Sequence, residues 1–130
     1  MPGRELVVLE WVQKAENDLK TAVHTLKLGR ECPTDTVCFH AQQCVEKYLK
    51  AYLASRGITF PRTHDVGEIM PLLPGRISVR LTPDEKRRLT SYATVTRYPG
   101  GYEPISLKEA RAAVALARRV RAALQKILPK

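Results

Sequence analysis

Aromatic side chains are scarce in this chain: one Trp, two Phe and five Tyr in 130 residues. Leu, Ala and Val supply most of the apolar content, a diet that favours packed helices over facing strands. Cysteine is scarcer still. Cys32, Cys38 and Cys44 form no Cys-x-x-Cys pair, and an odd number of thiols fits a reducing cytoplasm better than a disulfide framework. No apolar run approaches the ~20 residues that cross a bilayer, so no membrane association is expected. The N-terminal stretch carries Glu5, Glu10 and Trp11 and does not have the layout of a secretory signal. The expectation is a soluble cytoplasmic protein. There is also no Gly-x-Gly-x-x-Gly, no Walker loop and no Ser-centred nucleophile elbow, so no cofactor is expected.

What the chain does have is positive charge. Its 22 Lys and Arg against 13 Asp and Glu give a formal charge of +9 and a pI near 9.8. A surplus of that size draws polyanions such as RNA, nucleotides, acidic proteins or anionic lipid. From Arg111 onward there are six basic residues (Arg111, Arg118, Arg119, Arg121, Lys126 and Lys130) and no acidic one. The plain alternative is a solvated helix face that keeps a small protein soluble. With 44% hydrophobic residues the chain can bury one continuous core, and residues 1–130 read as a single domain.

Helical periodicity organises most of the length. Val8, Val12, Ala15, Leu19, Ala22, Val23 and Leu26 line one face of a helix over about 6–28, with Lys14, Asp18, Lys20 and Lys27 largely on the other side. Gly29 stops it. A second helix opens at Thr34 or Asp35 and places Val37, Ala41, Cys44, Val45, Tyr48, Leu49, Tyr52 and Leu53 on one stripe before Gly57. Two long amphipathic helices joined by a short loop predict an antiparallel pair, the start of a bundle. Trp11, Tyr48 and Tyr52 read as core or interface aromatics. Thr63 is the expected cap of a short helix over 64–73. Thr82-Pro83-Asp84-Glu85 is a strong start signal, with Thr82 as cap and Glu85 closing a capping box, for a helix reaching about Val95. Arg97-Tyr98-Pro99-Gly100-Gly101-Tyr102-Glu103-Pro104 breaks the pattern. Ser106 and Glu109 then open the last helix. Residues 76–81 offer the one weak strand candidate.

Four segments in order carry a family resemblance. They are Ala15-Glu16-Asn17-Asp18-Leu19, then Phe39-His40-Ala41-Gln42-Gln43-Cys44-Val45-Glu46-Lys47-Tyr48-Leu49-Lys50, then Pro61-Arg62-Thr63-His64-Asp65, and last Tyr92-Ala93 followed by Arg97-Tyr98-Pro99. Together they resemble the HEPN domain (higher eukaryotes and prokaryotes nucleotide-binding), in an Arg-Tyr-Pro form, over nearly the whole chain. The resemblance implies an all-α, up-and-down bundle of four long helices plus a short one, paired as a homodimer. It also implies two precedents. Many members act with a separate minimal nucleotidyltransferase as a toxin–antitoxin pair, and others are metal-independent ribonucleases with an Arg followed four to six residues later by a His. Here Arg97 stands at the family arginine, but the spacings that should hold His carry Tyr102, Glu103 and Pro104. Neither a phenol nor a carboxylate is a good substitute: Tyr titrates near 10, and Glu103 brings negative charge toward a phosphodiester.

The expected function is therefore a binding module that binds nucleotide or RNA phosphates, acts with a separate minimal nucleotidyltransferase in a toxin–antitoxin-type pair, or does both. One alternative is a ribonuclease using Arg97 with His64 or Glu103 as an unorthodox base. Another is a structural module whose basic face meets an acidic protein. The phosphate-binding candidates are Arg97, as a guanidinium clamp, Tyr98, as a stacking face, and a strip of His40, Lys47 and Lys50 on the second helix. The ordinary reading of that strip is exposed lysines, with Glu46 available to Lys50 at i, i+4. His40 and Cys44 are too few for a zinc site, and no metal is expected.

Overall fold

The computed structural model describes residues 2–74, 79–95 and 104–128. Five helices follow one another: α1 Pro2–Leu26, α2 Thr34–Ser55, α3 Val66–Ile69, α4 Pro83–Val95 and α5 Leu107–Gln125. No strand occurs among the described residues, and those of 76–81 that are described, 79–81, have no regular structure. The architecture is the all-α bundle expected, with α3 as the short member.

Helix α2 lies at the centre because its sequence is apolar on more than one side. Val37, Ala41, Cys44, Val45, Tyr48, Leu49, Ala51, Tyr52 and Leu53 are all fully buried. It packs chiefly against α1, then α5, then α4. The α1 stripe contributes Val8, Ala15 and Ala22 to the core, with Val12, Leu19, Val23 and Leu26 beside them. Small buried residues on both helices (Ala15 and Ala22 of α1, Ala41 and Cys44 of α2) leave little side chain to hold them apart, and α5 adds Ala110, Ala113, Ala117, Val120 and Leu124. Buried Cys38 and Cys44 behave as small apolar residues. Burial pushes both thiols up to about 12, so neither is a ready thiolate.

The helix ends follow their signals, with some changes. α1 already begins at Pro2, earlier than the apolar periodicity indicates, and ends at Leu26. Gly29, at φ +60°, and Gly57, at φ +70°, take the left-handed conformation that terminates α1 and α2. A Cβ at Gly57 would stand 3.0 Å from the Arg4 guanidinium, which places the start of α1 beside the end of α2, as in an antiparallel pair. The Thr82/Glu85 capping box is closed in both directions, at 2.9 and 3.1 Å. Ser106 Oγ accepts from the Glu109 N–H at 3.0 Å, while the Glu109 carboxylate accepts from the Tyr92 hydroxyl at 2.6 Å and so links α5 to α4.

The short helix differs from expectation. It spans only Val66–Ile69, continues as one tight turn over Met70–Leu72, and is capped by Asp65, whose carboxylate accepts from the Gly67 N–H at 2.8 Å. Thr63 instead accepts from the Asp65 N–H at 3.0 Å, bracing the cap from outside the helix. Pro71 has no N–H to extend a regular α-helix, which accounts for the switch.

Candidate functional site

One flank of α2 carries polar residues at 40, 42, 43, 46, 47 and 50, interleaved with its apolar stripe. At the upper end, Asp18 of α1 receives two cationic side chains. The His40 Nδ1 lies 2.7 Å from Asp18 Oδ1, and the Lys47 Nζ lies 2.6 Å from Oδ2. A carboxylate can only accept, so the His40 Nδ1 carries the proton and the ring's Nε2 is the edge available to a ligand. Asp18 is 8% exposed, which places it inside the protein and not on the solvent side that the α1 periodicity assigned to it. His40 and Lys47 retain 27% and 21% side-chain exposure, so both reach the surface.

One turn along, Glu46 is the hub of a second cluster. It is 2% exposed, and its carboxylate receives Gln42 at 3.0 Å, His64 Nδ1 at 2.9 Å and Lys50 Nζ at 3.1 Å. Lys50 also donates to the Thr63 carbonyl at 3.1 Å, and Gln42 to the His64 carbonyl at 3.2 Å. Lys50 is 6% exposed, under the rings of Trp11 and Phe60 at 5.6 and 5.9 Å. Gln43 extends the Glu46 cluster by donating to Gln42 Oε1 at 2.6 Å. The segment 61–65 is thereby tied to α2 by side chains that a sequence scan marks only as interruptions of an apolar stripe.

The strip proposed from spacing thus divides. His40 and Lys47 share one carboxylate near the surface. Lys50 belongs to the neighbouring cluster and is turned inward, with its charge compensated by Glu46. His64 joins this flank through Glu46 and keeps half of its side chain in solvent. Arg97, Tyr98 and Glu103 lie outside the described residues. The helices that flank them are described, however, and Tyr92 near the end of α4 pairs with the Cys38 thiol of α2. Thr34 at the start of α2 donates to the Ile105 carbonyl at 2.6 Å. The chain therefore leaves α4 and enters α5 beside the first turns of α2, close in sequence to His40.

A family model described as "HEPN domain" matches residues 8–127. The chain belongs to the HEPN family. Two solved structures share its fold over nearly their whole length. TT1696 from Thermus thermophilus is 25% identical with a TM-score of 0.75, over 92% of this chain and 96% of that one. ST0689, described as an archaeal HEPN homologue, is 27% identical with a TM-score of 0.67, over 92% and 95%. No curated protein matches the sequence.

On another face of this HEPN domain, Glu16 of α1 is gripped by Arg121 of α5 through two bonds, Nε at 2.7 Å and an η nitrogen at 2.9 Å, and it accepts from the Tyr48 hydroxyl at 2.5 Å. The Arg121 guanidinium holds the Glu16 carboxyl below the usual carboxylate range, partly opposed by burial. Burial and the Glu16 carboxylate together push the Tyr48 phenol up. A folded-state pKa below the unfolded value of about 4.3 makes the pair's contribution complete above that pH. It is lost as pH falls through the folded value. Arg121→Ala should therefore cost about 1 kcal/mol at pH 7, a figure kept small by solvent screening, and distinctly less at pH 3. Urea denaturation of both proteins at the two pH values checks this, and an equal cost at both would remove the ion pair from the account.

Proposed function

We propose that this HEPN domain is a binding module for phosphate-bearing ligands, nucleotide or RNA, which acts as a homodimer with a separate minimal nucleotidyltransferase in a toxin–antitoxin type of pair. The observation that carries the phosphate reading is the convergence of His40 and Lys47, both part-exposed, on the one carboxylate of Asp18. Asp18 holds both donors in place before a ligand arrives, so less side-chain freedom is lost on binding. A guanidinium from position 97 would add a two-pronged phosphate contact. The homodimer reading is supported by the first turns of α1, where Leu6, Val7 and Leu9, in the apolar run 6–9, are 61%, 46% and 52% exposed. The partner reading rests on the family and on the +9 charge.

Titration of labelled ATP and of a short RNA at low salt tests the module. Arg97→Ala should weaken both by about tenfold with the circular dichroism spectrum unchanged, the worth of one charge-assisted contact. Unchanged affinity removes Arg97 from the site. Co-expression with a nucleotidyltransferase encoded nearby tests the partner, and separate elution of the two proteins counts against it.

A second reading has its own observation. A carboxylate on Nδ1 of a part-exposed ring is the arrangement of an imidazole that moves protons, and His40 on Asp18 and His64 on Glu46 both have it. It supports a metal-independent ribonuclease in which one of these takes the place of the histidine missing after Arg97. Incubation with RNA in chelator tests this reading, and no cleavage at high protein concentration overturns it.

A further inference from the structure

A groove of about 510 Å³ runs between α1 and α5, lined by Gln13, Glu16, Leu19, Lys20, Val23, His24, Arg118 and Arg121. It lies on a different side of α1 from Asp18, because two residues along a helix turn the side chain by roughly 200°. Leu19 and Val23, half-buried, form an apolar floor. Lys20 and His24 stand one turn apart on one rim, and Arg118 and Arg121 one turn apart on the other. Arg121 is already held by Glu16. Lys20, His24 and Arg118 make no ion pair among the described residues, and Lys20 and Arg118 point permanent charge over an uncovered apolar strip.

We propose that this groove is the docking site for an acidic amphipathic helix of a protein partner. From Gln13 to His24 the α1 wall extends about 16 Å, or three helical turns. An incoming helix of that length can lay an apolar stripe on Leu19 and Val23 while carboxylates on its flanks meet Lys20 and Arg118. Charge selects the occupant. The α5 wall belongs to a stretch with no acidic residue after Glu109, so a carboxylate-rich partner is drawn in and steered. A second copy of this chain is assigned by the homodimer reading to the first turns of α1, where Leu6, Val7 and Leu9 are exposed, and not to this groove. A nucleic acid would find no Trp, Tyr or Phe among the eight that line the groove, and His24 as the one ring on which a base could stack. The assignment is independent of the phosphate site at His40 and Lys47.

The test uses a fluorescent synthetic peptide of sixteen residues or so, with Leu at i, i+3, i+4 and i+7 and Glu on both flanks. Its control is a scrambled peptide of the same composition and charge. Anisotropy titrations at low salt should show the amphipathic peptide binding at least tenfold more tightly than the scramble. Lys20→Glu and Arg118→Glu, both exposed positions, should each lower its affinity at least tenfold. Lys14→Glu, the same charge reversal at an exposed site on the opposite side of α1, should leave it unchanged. Equal binding of the scrambled peptide, or an equal loss from Lys14→Glu, would show bulk charge attraction and overturn the proposal. So would displacement of the peptide by a lower concentration of an oligouridylate whose own binding falls with Lys20→Glu and Arg118→Glu.

Discussion

Glu46→Ala should destabilise the fold by about 3–5 kcal/mol, the cost of leaving a buried charge without its partner. Lys50 is the charge in question. It sits 3.1 Å from Glu46, is almost fully covered, and has only the Thr63 carbonyl as a further hydrogen-bond acceptor. Its ammonium cannot simply be released to water without leaving the faces of Trp11 and Phe60, so the substitution also disturbs that packing. Gln42 loses an acceptor as well, and His64 loses the group that fixes its ring. A domain of this size should show a fall in Tm of roughly 10–20 °C. Segment 61–65 should become the first region to exchange its amides and to be cut by protease, because its ties to α2 run through Glu46 and its neighbours. The double variant Glu46→Leu with Lys50→Met removes both charges and should recover about half or more of the loss. A single-variant cost below about 1 kcal/mol in urea denaturation would mean that water already reaches Lys50, and the account of this cluster would fail.

These two clusters show what a sequence yields and what it withholds. The long helices were legible because burial repeats with the helical period, and because Thr82, Ser106, Gly29 and Gly57 mark their ends chemically. The short helix was misjudged in its cap and extent, since Thr63 and Asp65 are both competent caps two residues apart and only tertiary packing decides between them. The spacing of His40 and Lys47 was readable from the helix alone. Their common partner was not, because Asp18 lies on another helix and periodicity placed it toward solvent. Lys50 was misplaced for a related reason. Three residues from Lys47, it shares a side of α2 with it, but the 61–65 segment and Trp11 cover that side at one turn and leave it open at the other. A polar residue inside an apolar stripe, as at Gln42, Gln43 and Glu46, is the signal that could have located the hub. It says that a buried partner exists without saying which.

Two substitutions beside each other on this flank should move phosphate affinity in opposite directions. Lys47→Met keeps the length of the side chain and removes its charge. If Lys47 grips a phosphate, the loss should be about 1.5–3 kcal/mol, or roughly ten- to hundredfold in Kd for ATP or a short RNA. Asp18→Asn preserves the shape of the carboxylate while removing a negative charge that stands some ångströms from the incoming phosphate. At about 5 Å in water-like surroundings that repulsion amounts to about 1 kcal/mol, so binding should tighten severalfold. The asparagine can still accept from one of its two donors, and His40 and Lys47 can each reach solvent, so stability should fall only modestly. A proton-transfer role adds a separate outcome for Asp18→Asn. There the carboxylate sets the imidazole's tautomer, and RNA cleavage should collapse even as RNA binding improves. Isothermal titration with ATP and RNA, alongside a cleavage assay in chelator, reads both arms. Weaker binding in both variants would mean that Asp18 positions the donors more than it repels the ligand. Unchanged binding in both would place the phosphate elsewhere on the domain, since a cation and an anion paired at 2.6 Å cannot both be indifferent to a charged ligand between or beside them.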